Sequence, residues 1–184
     1  DQYKIGWGAS SRNGGMATPG LKQDIFKVHK KYGMDYAREF WKSSVDAIDL
    51  LEQIIIEENI DCNWSRKGHV ALACKQSHYD DFPEYAAWIK REMGHEKTIV
   101  PKEEIKSEIG TDAYFGGLSD KSSGGLQPAK YVDGLARAVA GLGVILCEDT
   151  RAEKINREGS GYELMTSKGD LKARDVVIAT NGYT

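Results

Sequence analysis

The sequence predicts a mixed fold, α+β through its middle and α/β at its two ends. Three observations carry this. A long helical stretch near the start has one apolar stripe, a helix runs through a short break into an apolar run near residue 143, and an antiparallel meander precedes a final apolar run. With 184 residues the chain is long enough to bury a core, as one domain or one and a half.

Residues 1–20 are rich in glycine and polar residues and predict an irregular segment ending at Pro19–Gly20. From Leu21 the spacing of Ile25, Val28 and Tyr32 predicts a helix broken by Gly33. A longer helix is predicted from about Asp35 to Glu58. Its apolar stripe is Tyr36, Phe40, Ala47, Ile48, Leu51 and Ile55, and its polar face carries Arg38, Lys42, Glu52 and Glu57. "CNWSRKGHVALACK" predicts two short strands around Lys67–Gly68. Ser77, with Asp80 three residues on, predicts a capped helix that ends at Gly94 and tolerates Pro83 in its opening turns. "TIVPKEEIKSEIG" predicts a short strand and a short helix, and "AYFGGL" a further strand.

Pro128 opens the next helix, where a missing N–H is harmless, and Tyr131, Leu135, Ala138, Val139 and Leu142 predict its buried face. Gly143 breaks it. Val144–Cys147 follows without polar alternation, as a buried parallel strand would. Turns at Glu158–Gly161 and Lys168–Asp170 then define a meander, and Asp175 to Ala179 predicts another buried strand. The ends thus read as parts of a nucleotide-binding α/β layer and the middle as an inserted α+β layer.

Composition excludes several classes. A net charge of −3 offers no cationic face for nucleic acid. No apolar run approaches the roughly 20 residues that span a bilayer. Cys62, Cys74 and Cys147 form no CxxC pair and are expected to be buried thiols in a reducing, cytoplasmic setting. His29, His69, His78 and His95 show no HxxxH or HExxH spacing, so no metal site is expected.

The stretch "IGWGASSRNGGM" carries the chemical signal. Successive backbone N–H groups in a glycine-rich turn can form an anion-binding concavity. From composition alone, an ordinary polar loop with a surface arginine explains the same residues.

That loop, "GGLQPAKYVDGLARAVAGLGVILCEDTRA" and the terminal "DVVIATNGYT" together resemble the D-amino-acid oxidase superfamily of FAD-dependent oxidoreductases, and within it the gamma-glutamylputrescine oxidase group. The resemblance covers essentially the whole chain. It implies a partial FAD-binding Rossmann-like layer in residues 1–20 and 128–184, flanking an inserted α+β substrate-binding domain in residues 21–127. The family's GxGxxG turn and following acidic strand have no counterpart here. The chain therefore resembles an internal piece of an enzyme roughly twice as long. The isolated piece is expected to be inactive and to hold FAD weakly, and its exposed sheet edges are expected to favour self-association.

By resemblance, Gly8, Ala9, Ser10 and Ser11 would run past the FAD pyrophosphate and ribityl chain, with Arg12 supplying a cation near the phosphate or ring. Asn13, Gly14 and Gly15 would pass close to the isoalloxazine. The backbone of Ala152 would contact the adenine, and Thr180, Asn181 and Gly182 would pack near the pyrophosphate. The resemblance implies oxidation of a small amine or amino acid to an imine, with dioxygen as electron acceptor. The cofactor carries the difficult step, so no catalytic side chain is demanded. His69 is the one histidine expected near a substrate cavity, although a lone histidine on a strand is more often a half-buried packing group. Trp64, Arg66 and Lys67 could line that cavity or form a solvated turn. Two rival readings are a non-enzymatic α+β protein-interaction module and a membrane-linked flavin amino-acid dehydrogenase.

Overall fold

A computed structural model describes residues 1–180. A short strand, β1 (Met16–Ala17), leads to two helices, α1 (Ile25–Tyr32) and α2 (Met34–Glu57). Next come β2 (His69–Leu72), α3 (Gln76–Asp80), α4 (Phe82–Met93), β3 (Thr98–Val100) and α5 (Ile105–Ile109). The strands β4 (Gly117–Asp120) and β5 (Gly124–Gly125) precede α6 (Pro128–Gly141), and β6 (Ala152–Glu158), β7 (Gly161–Thr166) and β8 (Leu171–Ala173) form the meander.

The core lies where α1, α2 and α4 meet. Ile25 and Val28 of α1, Ala37 and Trp41 of α2 and Ile89 of α4 are buried together. The Asp24 carboxylate starts α1 by accepting from Phe26 N at 2.8 Å, which satisfies one of the free donors of the first turn. The stripe of α2 is rotated from the predicted one. Ala37, Trp41, Ile48 and Ile55 face inward, while Tyr36 and Phe40 are exposed. Trp41, with the largest apolar surface available to bury, sets that rotation. A second cluster joins Ile55, Ile60 and Cys62 to Leu126, Tyr131 and Leu135 at the base of α6. There Gly134 lies against Ile60 so closely that a Cβ would sit 2.3 Å from its Cγ2.

Beside the helices, β2, β4 and β3 form an antiparallel sheet in the order β2–β4–β3. Register places His69 opposite Asp120 and Thr98 opposite Ser119. A two-residue ladder pairs Met16 with Gly125 and Ala17 with Gly124, tying the N-terminal segment to the middle of the chain.

Several expectations are corrected. The strand expected at "AYFGGL" begins only at Gly117, the last residue but one of that stretch. Only one named strand forms around Lys67–Gly68; Ser65 contributes an isolated bridge to Gly125. Ser77 does not cap a helix. Helix α3 starts at Gln76, and the chain restarts at Phe82, where Pro83 sits in the N-terminal position its missing donor suits. Cys62 is buried, but Cys74 and Cys147 are exposed. Leu142 is exposed as well, because α6 has ended before it reaches a neighbour.

The meander forms with the expected turns and the pairing β6–β7–β8. The two parallel strands do not form. Residues 144–147 and 175–179 have no assigned strand, and every ladder between named strands is antiparallel. A parallel strand needs hydrogen-bonded neighbours on the same sheet, and no described segment supplies them. Residues 147–150 bond instead to the N-terminal residues. Thr150 N donates to Asp1 O at 2.8 Å, Asp149 N to Tyr3 O at 3.2 Å, and Ile5 N to the Glu148 carboxylate at 2.9 Å. Glu148 is consequently held below the usual carboxylate range by the Ile5 N–H and the Lys4 ammonium.

Candidate functional site

The glycine-rich loop folds on itself before it meets the rest of the chain. Ser11 N donates to Gly8 O and Arg12 N to Ala9 O, closing a tight turn. Asn13 locks it. Its side-chain amide donates to the carbonyls of Ala9 and Ser10 at 3.1 and 3.0 Å, and its carbonyl accepts from Gly15 N at 2.9 Å. Short polar side chains that bond nearby backbone are the usual means of holding such turns.

Gly15 is where the loop docks. Leu126 N donates to its carbonyl at 2.9 Å, and its φ of +65° lies in the left-handed region. A Cβ there would sit 2.0 Å from Leu126 O, so no other residue fits. The loop is pinned between Asn13 on one side and the chain entering α6 on the other.

A shallow pocket of about 180 Å³ opens at this junction. The loop contributes Ser10, Asn13 and Gly15, β1 contributes Met16 and Ala17, and Leu51, Leu126, Pro128 and Tyr131 complete the wall. It is smaller than the roughly 300 Å³ of a typical small-molecule site. Space also lies open beside Gly8, where an added Cβ would meet nothing within 4 Å. Polar loop atoms line one edge of this pocket and apolar side chains the other.

The other expected residues fall as follows. Arg12 places its guanidinium 4.7 Å from the ring centre of Trp7, which in turn packs on Tyr3 at 4.2 Å. Among the described residues no carboxylate pairs with Arg12. Ser11 Oγ is buried and turned toward Gly6, without a hydrogen-bond partner among the described residues. Gly14 is exposed beside Met16. Ala152 opens β6, two residues beyond the Thr150 contact with Asp1. Thr180 is exposed, and Asn181 and Gly182 lie outside the described residues.

His69 is half-buried on β2 and does not line the pocket at the loop. Trp64 and Arg66 brace the scaffold instead. Trp64 Nε1 donates to Glu52 at 2.8 Å, and Arg66 reaches Glu52 at 2.7 Å, Asp49 at 2.6 Å and the Ser122 carbonyl at 3.1 Å. The Trp64 and Arg66 donors hold the Glu52 carboxyl below its ordinary range.

One cluster escaped the sequence reading. Asp120, 3% exposed, receives Lys97 Nζ and lies 2.9 Å from His95 Nε2 through one carboxylate oxygen. Its other oxygen accepts from Ser122 N at 3.1 Å and Ser122 Oγ at 2.5 Å. Burial opposes the charge, but the bonds from His95, Lys97 and Ser122 outweigh it and hold the carboxyl far below the usual range. His95 and Lys97 lie more than twenty residues from Asp120 in sequence, and the β3–β4 pairing brings them beside it. Among the described residues no group of three or more His, Cys, Asp or Glu could hold a metal, and no helix is long and apolar enough to cross a membrane.

This architecture is found in a solved oxidase and a solved dehydrogenase. Glycine oxidase from Geobacillus kaustophilus superposes with a TM-score of 0.75 at 24% identity, over 97% of this chain and 47% of that one. L-Proline dehydrogenase from P. horikoshii superposes with a TM-score of 0.66 at 17% identity, over 94% of this chain and 42% of that one. The fold is thus shared with segments of these two enzymes. Residues 1–184 match the family described as FAD dependent oxidoreductase, and the chain belongs to that family. A Haemophilus influenzae protein named "Probable oxidoreductase OrdL" is 34% identical over 98% of this chain and 42% of its own length. The gamma-glutamylputrescine oxidoreductase of Escherichia coli is 28% identical over 98% of this chain and 42% of its own. The chain spans less than half the length of these curated relatives.

Proposed function

We propose that the full-length protein is an FAD-dependent oxidase of a small amine or amino acid. Loss of a hydride from carbon and a proton from nitrogen converts the amine to an imine, which water hydrolyses to a carbonyl compound. A bound FAD supplies the two-electron acceptor for that oxidation, and dioxygen is the terminal acceptor. The observation that carries this reading is the pocket at the self-locked loop, in a chain whose family match runs from end to end.

In this reading Gly8–Ser11 pass the pyrophosphate and ribityl chain, and Arg12 supplies positive charge nearby. Asn13, Gly14 and Gly15 border the ring, with Met16, Leu51 and Tyr131 as its apolar wall. Ala152 meets the adenine, and Thr180 packs near the pyrophosphate. His69, on the adjoining sheet, faces the substrate. The apolar residues 144–146 and 177–178, exposed in this chain, are self-association edges when the segment is isolated.

The test is expression of the complete reading frame, reconstitution with FAD, and anaerobic mixing with polyamines, N-methyl amino acids and D-amino acids. Bleaching of the flavin absorption by a member of this panel, followed by peroxide release on admitting air, is the expected result. Bleaching without peroxide, but with reduction of an artificial dye, replaces dioxygen with another acceptor. No bleaching by any amine overturns the substrate class.

A further inference from the structure

The loop at the pocket is not held by its own bonds alone. Gly15 O is bonded to Leu126 N, and Met16 and Ala17 pair with Gly125 and Gly124. Gly125 exchanges hydrogen bonds with Ser65, both at 2.9 Å. Everything that positions the loop from below therefore passes through the five residues 122–126. Ser65 holds one part of that segment, and the turn that leaves β4 holds its beginning.

That turn is built on Asp120. One carboxylate oxygen bonds both the amide and the hydroxyl of Ser122, and the backbone carbonyl accepts from Ser123 N at 3.4 Å. The other oxygen is anchored in the sheet through Lys97 and His95. Lys97 immediately precedes β3, with its ammonium 5.7 Å from the centre of the buried Trp41 ring, and His95 stands edge-on to the same ring at 5.3 Å. Arg66 and Gly68 also reach the turn, through the carbonyls of Ser122 and Ser123. Arg66 is a quarter exposed and divides its guanidinium between two carboxylates as well. Asp120 is the buried anchor.

We propose that Asp120 is a positioning residue for the cofactor loop, whose cap on Ser122 sets where Gly124–Leu126, and through them Asn13–Gly15, stand at the pocket. The carboxylate does two separable things. It neutralises Lys97, which keeps the sheet folded, and it caps Ser122, which orients the turn. The proposal rests on the reading of this site as an FAD site. It assigns to Asp120 no contact with cofactor or substrate.

Paired substitutions in the full-length protein separate the two tasks. Asp120→Ala with Lys97→Met removes the cap and leaves no unpaired buried charge. Asp120→Asn with Lys97→Met also removes both charges but keeps an oxygen to accept from Ser122. The readouts are the FAD dissociation constant of the apoprotein and the visible circular dichroism of the bound flavin, which reports ring orientation. The capless pair is expected to bind FAD about tenfold more weakly, with altered dichroism, as loss of one or two hydrogen bonds to a buried group implies. The amide pair is expected to stay within about twofold of wild type, its cap being retained.

Equal affinity and equal dichroism in the two pairs overturn the proposal, whatever their melting temperatures. If the capless pair fails to fold, Ser122→Ala removes the hydroxyl bond alone. It is expected to weaken FAD about threefold, and unchanged binding overturns the proposal. A wild-type protein that takes up no FAD overturns the functional reading itself, a result distinct from either of these.

Discussion

Two apolar regions of this chain end up in opposite states. Around residues 98–118, Val100, Ile105 and Leu118 are buried between the β2–β4–β3 sheet and the helices. Around residues 144–146 and 177–178, side chains of the same kind face outward, with Ile145 at 87% and Val177 at 88% exposed. Hydrophobicity and branching do not distinguish the two. The first region has strand neighbours and a helical layer within the chain, and the second has neither among the described residues. A strand belongs to a sheet, and what decides it is the partner.

The largest expected break on the ordered side is Asp120→Ala. It leaves the Lys97 ammonium in a buried site without its carboxylate, and losing one partner of a buried pair costs about 3–5 kcal/mol. Urea or thermal unfolding should show this loss, and adding Lys97→Met should recover most of it. If the single and double variants melt alike, the pair does not hold the sheet. Next is Ile105→Ala. Ile105 is fully buried, and its δ1 carbon lies within 3.0 Å of where a Cβ on Gly117 would stand. The expected loss is about 2–5 kcal/mol, the range for emptying such a site.

Gly15→Ala should come third in stability and first in effect on the cofactor. The backbone would have to leave its left-handed conformation or push Leu126 aside, at about 1–3 kcal/mol. Because this also unseats the loop, FAD uptake by the full-length protein should fall further than the melting temperature suggests. Normal uptake with reduced stability would separate the loop from the cofactor.

Acid should expose a smaller effect. The Glu52 carboxyl is lowered from 4.5 by the Trp64 and Arg66 donors, and Asp120 is lowered from 3.8 despite its burial. A carboxyl depressed in the folded state contributes stability that is complete above its unfolded value and is lost as pH falls through the folded one. Stability should therefore hold down to about pH 4.5 and then decline, Glu52 first and Asp120 at lower pH. Trp64→Phe removes the largest cause at Glu52, so its urea midpoint should change less than wild type between pH 5 and 3. An identical acid limb would place the cause elsewhere.

How far the sequence could be read follows from the same contrast. Local signals were legible: Gly33 and Gly94 end helices, Pro128 opens one, and the meander turns fall where they were expected. The loop was legible as an irregular glycine-rich turn, because Asn13 and the glycines act within eight residues of one another. The face of α2 was not, since Tyr36 and Trp41 both satisfy a helical period and only packing on α1 and α4 chooses between them. Asp120 was invisible for a related reason. A single aspartate before a Lys–Ser–Ser turn looks like a solvated loop until β3 brings His95 and Lys97 beside it.

The smallest expected effect is the sharpest test of the comparison. Ile145→Ala repeats the Ile105 substitution in the region without partners. With Ile145 almost wholly exposed, the 184-residue chain should lose no more than about 0.5 kcal/mol, the range of an ordinary surface change. The same variant should reduce self-association of the isolated chain in light scattering, because it trims the apolar edge that would meet another copy. In the full-length protein the cost should rise toward that of Ile105→Ala if residues 144–147 join a parallel sheet there. A cost that stays near zero in the full-length protein would mean that this run remains at the surface, and its apolar character would then need a partner outside the chain.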